Sequence, residues 1–331
     1  MRKFFLLALI SMALACAKEN SNEFVPYPNH ELNDTNWHNP VPQAARVRQL
    51  DSIFALPVLK DSVDVTAGGS IKFNDSLIIT FPPSFCNGSG GATLPSHAKV
   101  QVEVITLKTK GDIVRADKPT MSYDQLLVTG GAVNIRVTYN GQPVGMAPNA
   151  KIAVKMSTRM SNTNPSNDMR IFYGKEDAFP ATSVQPFTWI PAQDTTANSV
   201  TVYQDTMGLK GYSFFASRFG WVNCDYFSDT SQPRTKAIVT LPPNYTNVNT
   251  NVYAVFNSPD IVAQLYPEPS TKTFVIPNIY VGKVVTFVTL TYLDDKLYLG
   301  TKQVTITPNM TIPMVPEQKT KQQITAFLET L

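Results

Sequence analysis

The sequence predicts an all-β protein with two or more β-sandwich domains of immunoglobulin-like type and a short C-terminal helix. Two observations lead to this fold class. From about residue 60 onwards, short stretches such as residues 99–104 and 133–137 alternate polar and apolar side chains. This alternation is typical of strands with one buried face. Turn signals separate the stretches, and short strands divided by turns indicate sandwiches.

Changes in composition divide the chain into segments. We expect a lipoprotein signal peptide (1–15), a lipidated cysteine with a flexible tether and short helix (16–58), a first β-sandwich (59–158), an aromatic-rich β extension (159–234) and a second immunoglobulin-like sandwich with the C-terminal helix (235–331). Polar stretches rich in Pro, Asn and Ser mark several of the boundaries.

The first segment has the composition of a secretory signal. Arg2 and Lys3 precede an apolar run over residues 4–14, and small residues follow before Cys16. The run is too short to cross a bilayer, which needs roughly 20 apolar residues. A buried N-terminal helix would require neither the basic start nor the small residues at the end. The pattern therefore predicts export.

Cys16 stands where the cut is expected. Residues 13–16, Ala-Leu-Ala-Cys, resemble a bacterial lipobox, although Leu is more usual at the position of Ala13. The resemblance implies a diacylglyceryl group on the Cys16 thiol and an acylated amino end, and several acyl chains would anchor the chain firmly. The alternative is ordinary cleavage that leaves Cys16 as a spare thiol.

The segment after Cys16 predicts how the protein is presented. Cys16-Ala-Lys18-Glu19 is similar to the surface-export signal of Bacteroidota lipoproteins, which implies attachment to the outer membrane facing outward; the periplasmic face is the alternative. Residues 17–42 are rich in Asn and Pro and predict a tether. Residues 43–56 predict one short helix that ends before Pro57.

The first sandwich and the extension differ in aromatic content. In residues 59–158, Asn140-Gly141 predicts a tight hairpin that pairs residues 133–137 with 151–156. In the extension, aromatics cluster over residues 211–227. Packing is the favoured interpretation of that cluster. In the alternative, four of its members stack on sugar rings or anchor a protein partner: Tyr212, Trp221, Tyr226 and Phe227.

The last segment predicts a second sandwich followed by a helix. Asp294-Asp295-Lys296 is expected to form a hairpin turn between two strands. Apolar residues then recur at helical spacing at Ile324, Phe327, Leu328 and Leu331. Pro316 and Glu317 suit the first turn of that helix. We expect its apolar stripe to pack on the preceding sheet.

Charge and cysteine content restrict the partners. Removal of residues 1–15 takes away two basic residues, which lowers the formal charge from +3 to +1, with 26 basic against 25 acidic residues. A nearly neutral chain without basic clusters does not predict nucleic-acid binding. Cys86 and Cys224 remain, either as a disulfide or as two buried, inert thiols.

A resemblance to known families rests on three stretches. Residues 68–71 with 80–83 resemble the start of the β-sandwich domain of ankyrins and netrin receptors. Residues 126–133 with 139–143, and then 220–225, are similar to a family of Bacteroidota surface lipoproteins. The likeness covers roughly residues 60–310 and departs at Tyr123, Asp124 and Val128, where Gly, Gly and Glu are expected. The family implies a surface β-protein and supplies no activity, ligand or catalytic residue.

The sequence does not predict an enzyme or a cofactor. His30, His38 and His97 have no i, i+4 spacing, so the usual zinc ligand set is not expected. Residues 88–91 are glycine-rich but lack the Lys-Ser/Thr that follows in a phosphate-binding loop. No Gly-x-Ser-x-Gly elbow occurs.

Asp-Ser/Thr pairs followed by a small apolar residue or Thr resemble the O-glycosylation motif of Bacteroides-type proteins. The candidate acceptors are Ser52, Ser62, Ser76, Thr195 and Thr206. In the alternative, these residues form N-caps or turns.

The leading functional expectation is a lipid-anchored, non-enzymatic module that binds an extracellular or envelope protein or glycan, or scaffolds an envelope complex. The alternative is a glycan-binding accessory of a polysaccharide uptake system, and the third is a glycoside hydrolase.

Overall fold

A computed structural model describes residues 34–73, 76–157, 168–176, 187–193, 199–204, 208 and 210–331. The predicted signal peptide, Cys16 and the first part of the predicted tether lie outside these residues. Strands dominate the described part and helices are short, which confirms the all-β prediction. No helix within the described ranges is long and apolar enough to cross a membrane.

The first part of the described chain runs up to residue 227. It contains a 3₁₀ turn at Arg46–Gln49, the helices α1 Leu50–Ile53 and α2 Lys110–Ala116, and the strands β1 Leu59–Asp64, β2 Gly69–Phe73, β3 Leu77–Phe81, β4 Cys86–Asn87, β5 Lys99–Leu107, β6 Met121–Ser122, β7 Gln125–Tyr139, β8 Gln142–Pro143, β9 Gly145–Met146, β10 Ile152–Ser157, β11 Arg170–Glu176, β12 Phe187–Pro191, β13 Thr201–Gln204, β14 Lys210–Ala216 and β15 Gly220–Phe227.

The second part begins at Arg234. It contains β16 Arg234–Thr240, β17 Thr250–Phe256, β18 Val262–Gln264, β19 Tyr266–Glu268, β20 Thr273–Tyr280, β21 Val284–Leu293, β22 Lys296–Thr305, β23 Met310–Pro313, β24 Glu317–Gln318 and α3 Lys321–Leu328.

The first sandwich packs the sheet β1-β5-β7-β15-β11-β12 on the sheet β13-β14-β10-β3-β2. The alternation predicted for β5 is present, because Val100, Val102 and Val104 are buried while Gln101 is exposed. The sandwich is larger than predicted. Strands β11 to β15, assigned to a separate extension from their sequence, complete both of its sheets, because β15 pairs with β7 and β14 pairs with β10.

The predicted partner of the hairpin at Asn140-Gly141 is wrong. Both residues have positive φ, as a tight turn requires. The strand after the turn is the short β8, which pairs with the end of β7. Residues 152–157 instead form β10, which lies in the opposite sheet between β14 and β3. There the apolar face of β10, including Val154, lies in the first core.

The second sandwich packs the sheet β19-β20-β16-β23 on the sheet β18-β17-β21-β22-β24. Its core contains Phe256, Phe274 and Phe287. The predicted hairpin turn is confirmed: Leu293 pairs with Lys296, and the two aspartates between them have positive φ.

A third apolar cluster joins the two sandwiches. The C-cap of α1 and the helices α2 and α3 contribute Phe54, Val114 and Leu328, and the facing sheets contribute Trp189 and Val288. All five are essentially buried. Full burial of such side chains contributes about 1.5–3 kcal/mol each. The joint is therefore a shared core, which gives β17 and β21 two buried faces.

The C-terminal helix begins later than predicted. Thr320 is the N-cap of α3 and forms a capping box with Gln323, whereas Glu317 belongs to β24. Ile324 and Leu328 are buried in the joint, and Leu328 lies against Gly111 of α2. The helix thus packs on α2 as well as on the sheet.

The described end of the predicted tether is docked. The Trp37 and Phe274 ring centroids are 5.1 Å apart. The His38 backbone N–H donates to Asn247 Oδ1 at 3.1 Å, and Asn247 Nδ2 donates to the His38 carbonyl at 2.6 Å. The tether prediction is therefore wrong for residues 34–42, because an apolar ring and backbone groups there find partners on the second sandwich.

Candidate functional site

The principal cavity candidate is a cleft of about 180 Å³ at the junction of the two sandwiches. The N-terminal segment with α1 forms one side, the end of α2 and β11 form another, and β17 and β18 form the floor. Clefts between domains that carry a few convergent polar groups are the usual location of ligand sites.

Asp117 stands at the centre of this cleft. It ends α2 in the left-handed conformation, with φ 51° and ψ 47°, which Asp tolerates better than most residues. Its Oδ1 accepts hydrogen bonds from Tyr253 Oη at 2.6 Å and Gln264 Nε2 at 3.2 Å. Desolvation raises the pKa of Asp117, and the Lys118 ammonium opposes that rise.

Two amides fix the floor around Asp117. Gln264 Nε2 also donates to Asn251 Oδ1 at 3.2 Å, and Asn251 Nδ2 donates to Tyr253 Oη at 3.2 Å. Gln264 Oε1 accepts no hydrogen bond from the described residues, and it is not among the enclosed polar atoms without a partner. It therefore faces the cleft, beside the Asp117 carboxylate, on which Asn251 also acts through a hydrogen bond.

The N-terminal side is held by Arg48. Its Nε donates to the Pro42 carbonyl at 2.9 Å and its Nη2 to the Val41 carbonyl at 3.0 Å. Next to it, Asp51 accepts only the N–H of Ser52, at 2.6 Å, from the described residues. The Asp51 carboxylate thus remains available at the rim.

The opposite side carries a compensated charge pair. Lys118 Nζ lies 3.4 Å from Glu176 Oε1 and 4.6 Å from the Phe187 ring centroid. The cation is mostly buried and the carboxylate is exposed. The pair leaves little net charge on this side of the cleft.

The aromatic residues proposed from the sequence do not line this cleft. Tyr212 is buried in the first core. Trp221 and Phe227 pack against the joint, where Trp221 meets Trp189 at 6.4 Å and Phe227 meets Phe172 at 5.4 Å between centroids. Tyr226 packs between the two sandwich cores. These positions favour the packing interpretation.

The disulfide alternative is wrong in this structure. Cys86 and Cys224 are free, buried thiols on β4 and β15. Burial raises the pKa of Cys86 to about 11 and that of Cys224 well above its ordinary value. Both cysteines act as small apolar side chains of the first core.

Asp225 is a buried acid away from the cleft. Asn223 Nδ2 donates to its Oδ2 at 2.6 Å, and the Thr129 side chain and the Gly130 backbone N–H also act on the carboxylate, each favouring its charged form. Burial raises the pKa of Asp225 to about 8. The carboxyl is enclosed between β15 and β7, where a bulge lies next to it, and it lines neither of the surface depressions described here.

A shallower groove lies on the outer face of β19, β20 and β16. Its volume is about 480 Å³, and Tyr266, Ile238 and Val275 form its apolar part. Burial raises the pKa of Tyr266 to about 12. Tyr266 donates a hydrogen bond to the backbone carbonyl of Tyr123 and not to another side chain of the groove. These three residues therefore do not form a side-chain network like the one in the cleft.

The candidate glycosylation sites differ in access. Ser52 and Ser62 are exposed. Ser76 is half-buried and accepts a hydrogen bond from Lys108 Nζ. Thr195 and Thr206 lie outside the described residues. Glycosylation stays a prediction.

Sequence reasoning missed Asp117, Asn251 and Gln264. They are far apart in the chain, and only the docking of the sandwiches brings them together. The sequence offered one signal for this site, the polar residue Gln264 at the end of an apolar strand. A single polar residue in that position is weak evidence for a binding site.

Within the described ranges, no group of three or more His, Cys, Asp or Glu side chains could hold a metal ion. No protein-family model matches the chain, and no curated protein matches it.

Proposed function

We propose that this chain is an exported envelope protein, anchored in the outer membrane through lipid on Cys16, which acts as a non-enzymatic binding module. Its ligand occupies the cleft between the sandwiches. The observation that carries the proposal is the network of Asp117, Gln264 and Asn251, which is already assembled and lines the cleft with the Gln264 amide and the Asp117 carboxylate. Preassembled polar groups lower the cost of ordering on binding.

The charges of the cleft favour binding over catalysis. A retaining or inverting glycosidase needs an acid and a second carboxylate across the scissile bond. Here Glu176 is paired with Lys118, and Asp117 is tied to Tyr253 and Gln264, which leaves Asp51 as the single carboxylate of the described lining without such a side-chain partner. Hydrolysis is therefore the least supported of the three candidate functions.

The placement rests on the N-terminal residues. The basic start, the short apolar run and the lipobox-like residues 13–16 support lipidation at Cys16. Lys18 and Glu19 support surface exposure. We also propose membership of the Bacteroidota surface-lipoprotein family, which rests on the stretches within residues 60–310.

The anchoring is tested by labelling in the native host. Cells that express the full chain are fed a radiolabelled fatty acid, and a Cys16→Ser variant is treated identically. We expect label and membrane association for the natural chain and loss of both for the variant. A chain that is unlabelled and released into the medium would refute the anchor.

Binding is tested with the Cys16→Ser chain, which lacks the acceptor thiol. The chain is applied to arrays of glycans and of envelope proteins, and the same glycans are incubated with it and assayed for new reducing ends. Saturable binding without turnover supports the proposal. Turnover that a single Asp or Glu substitution abolishes would refute it.

A further inference from the structure

The size of the cleft suits one sugar ring. A water-sized group requires about 10–15 Å³ of such space, so about 180 Å³ holds roughly a dozen groups of this size. A monosaccharide unit has that bulk. The cleft opens to solvent at its rim, where Asp51 and Glu176 are exposed, so a longer chain could continue outward.

The unused hydrogen-bonding groups of the floor are acceptors held at fixed positions. Gln264 Nε2 bridges Asp117 Oδ1 and Asn251 Oδ1 at 3.2 Å each, which fixes the direction of Gln264 Oε1. The Asp117 carboxylate lies on the same network through its Oδ1. Neighbouring hydroxyl groups are donors that can satisfy two such oxygens together.

The charges around the floor select a neutral ligand. Lys118 is compensated by Glu176 at 3.4 Å, and the Arg48 guanidinium donates to two backbone carbonyls. The lining thus holds two cations, Arg48 and Lys118, against three carboxylates, Asp51, Asp117 and Glu176, so its charges nearly balance. Asp51 lies at the exposed rim, where salt screens it.

We propose that the cleft binds a single neutral sugar unit at the end of a glycan, whose hydroxyl groups donate to Asp117 Oδ2, Gln264 Oε1 and the Asp51 carboxylate. Val41 and Val47 on the N-terminal side provide apolar contact for the C–H groups of the ring. This inference rests on the proposed function and names the ligand class of the same site.

The test uses the Cys16→Ser chain and titration followed by saturation-transfer NMR. The probes are neutral sugars (glucose, galactose, mannose, fucose and N-acetylglucosamine), glucuronate as an anion and lysine amide as a cation. The variants are Asp117→Asn, which keeps the Oδ1 acceptor but replaces Oδ2 by a donor, and Asp51→Ala at the rim. Asp61→Ala, an exposed residue of β1 that does not line the cleft, is the matched control.

We expect at least one neutral sugar to bind the parent and the Asp61→Ala chains equally. Binding should weaken about tenfold with Asp117→Asn, the cost of one lost hydrogen bond to a charged or polar group, and severalfold with Asp51→Ala. The amide NMR spectrum of each variant checks that its fold is intact. A variant that fails this check is replaced by Gln264→Glu, which keeps Oε1 but removes the bridging N–H and is expected to weaken binding.

Three outcomes would overturn the inference. Equal affinity in parent and cleft variants would place the sugar elsewhere, and the binding module would stand. Binding of lysine amide or glucuronate alone would refute the neutral class but not the site. Binding of no sugar would refute a glycan ligand, and the proposed function would then depend on the envelope-protein array.

Discussion

Replacing Asp225 by Asn should stabilise the protein at neutral pH and remove part of its pH dependence. The Asp225 carboxyl is fully buried, and burial raises its pKa from 3.8 to about 8. The folded protein therefore keeps a proton at pH 7 that the unfolded chain has released. The free energy of unfolding is therefore highest below pH 3.8, where both states hold the proton. It falls as the pH rises above 3.8 and stops falling above the folded pKa of about 8.

The magnitude follows from the interval between the two pKa values. Each pKa unit corresponds to about 1.4 kcal/mol, and about three units separate 3.8 from neutrality, so the cost at pH 7 is about 4 kcal/mol. Asn cannot ionise. Its amide oxygen can accept from Asn223 as Oδ2 does.

The assay is urea unfolding of the Asp225→Asn and parent chains between pH 4 and pH 9, with exposed Asp61→Asn as the control. The two curves should coincide near pH 4 and differ by about 4 kcal/mol at pH 7. Equal pH dependence of the two chains, or a less stable variant at pH 7, would show that Asp225 is ionised and compensated in the folded protein.

Further expected outcomes concern the joint and the thiols. Gly111→Ala should cost about 2 kcal/mol in urea unfolding, because the new Cβ would lie 1.8 Å from the Leu328 carbonyl oxygen. Gly145→Ala, where the Cβ meets open space, should be nearly neutral, and equal effects of the two changes would contradict the packing of α3 on α2. Cys86 and Cys224 should not react with a thiol reagent at pH 8 until the protein is unfolded in urea, because both are buried with raised pKa. Rapid reaction of the native chain would contradict their burial.

The sequence was most informative where the pattern is local. The alternation in β5 and the turn at Asp294-Asp295 depend on neighbouring residues, and both are present in the structure. The helical spacing of Ile324 and Leu328 also identified the buried face of α3. Strand period and turn chemistry act within a few residues, so they can be read without knowledge of the fold.

Sequence patterns failed where distant segments meet. The two partners of β10 are β3 and β14, the second about sixty residues later, and alternation alone does not specify which strands pair. The candidate site depends on the same kind of contact, since Asp117 and Gln264 come together only through the shared core of the two sandwiches. Aromatic content drew attention to Tyr212 and Trp221, whose rings contribute to packing instead.

Hydrogen exchange with and without a bound glycan tests most directly that the junction is the binding site. The Cys16→Ser chain is incubated with a glycan that binds on the array, and amide exchange is followed by mass spectrometry. We predict slower exchange in three groups of peptides: those with Asp117 at the end of α2, those with Asn251 at the start of β17 and those with Gln264 at the end of β18. Slower exchange confined to β19 and β20, around the groove at Tyr266, would contradict the account.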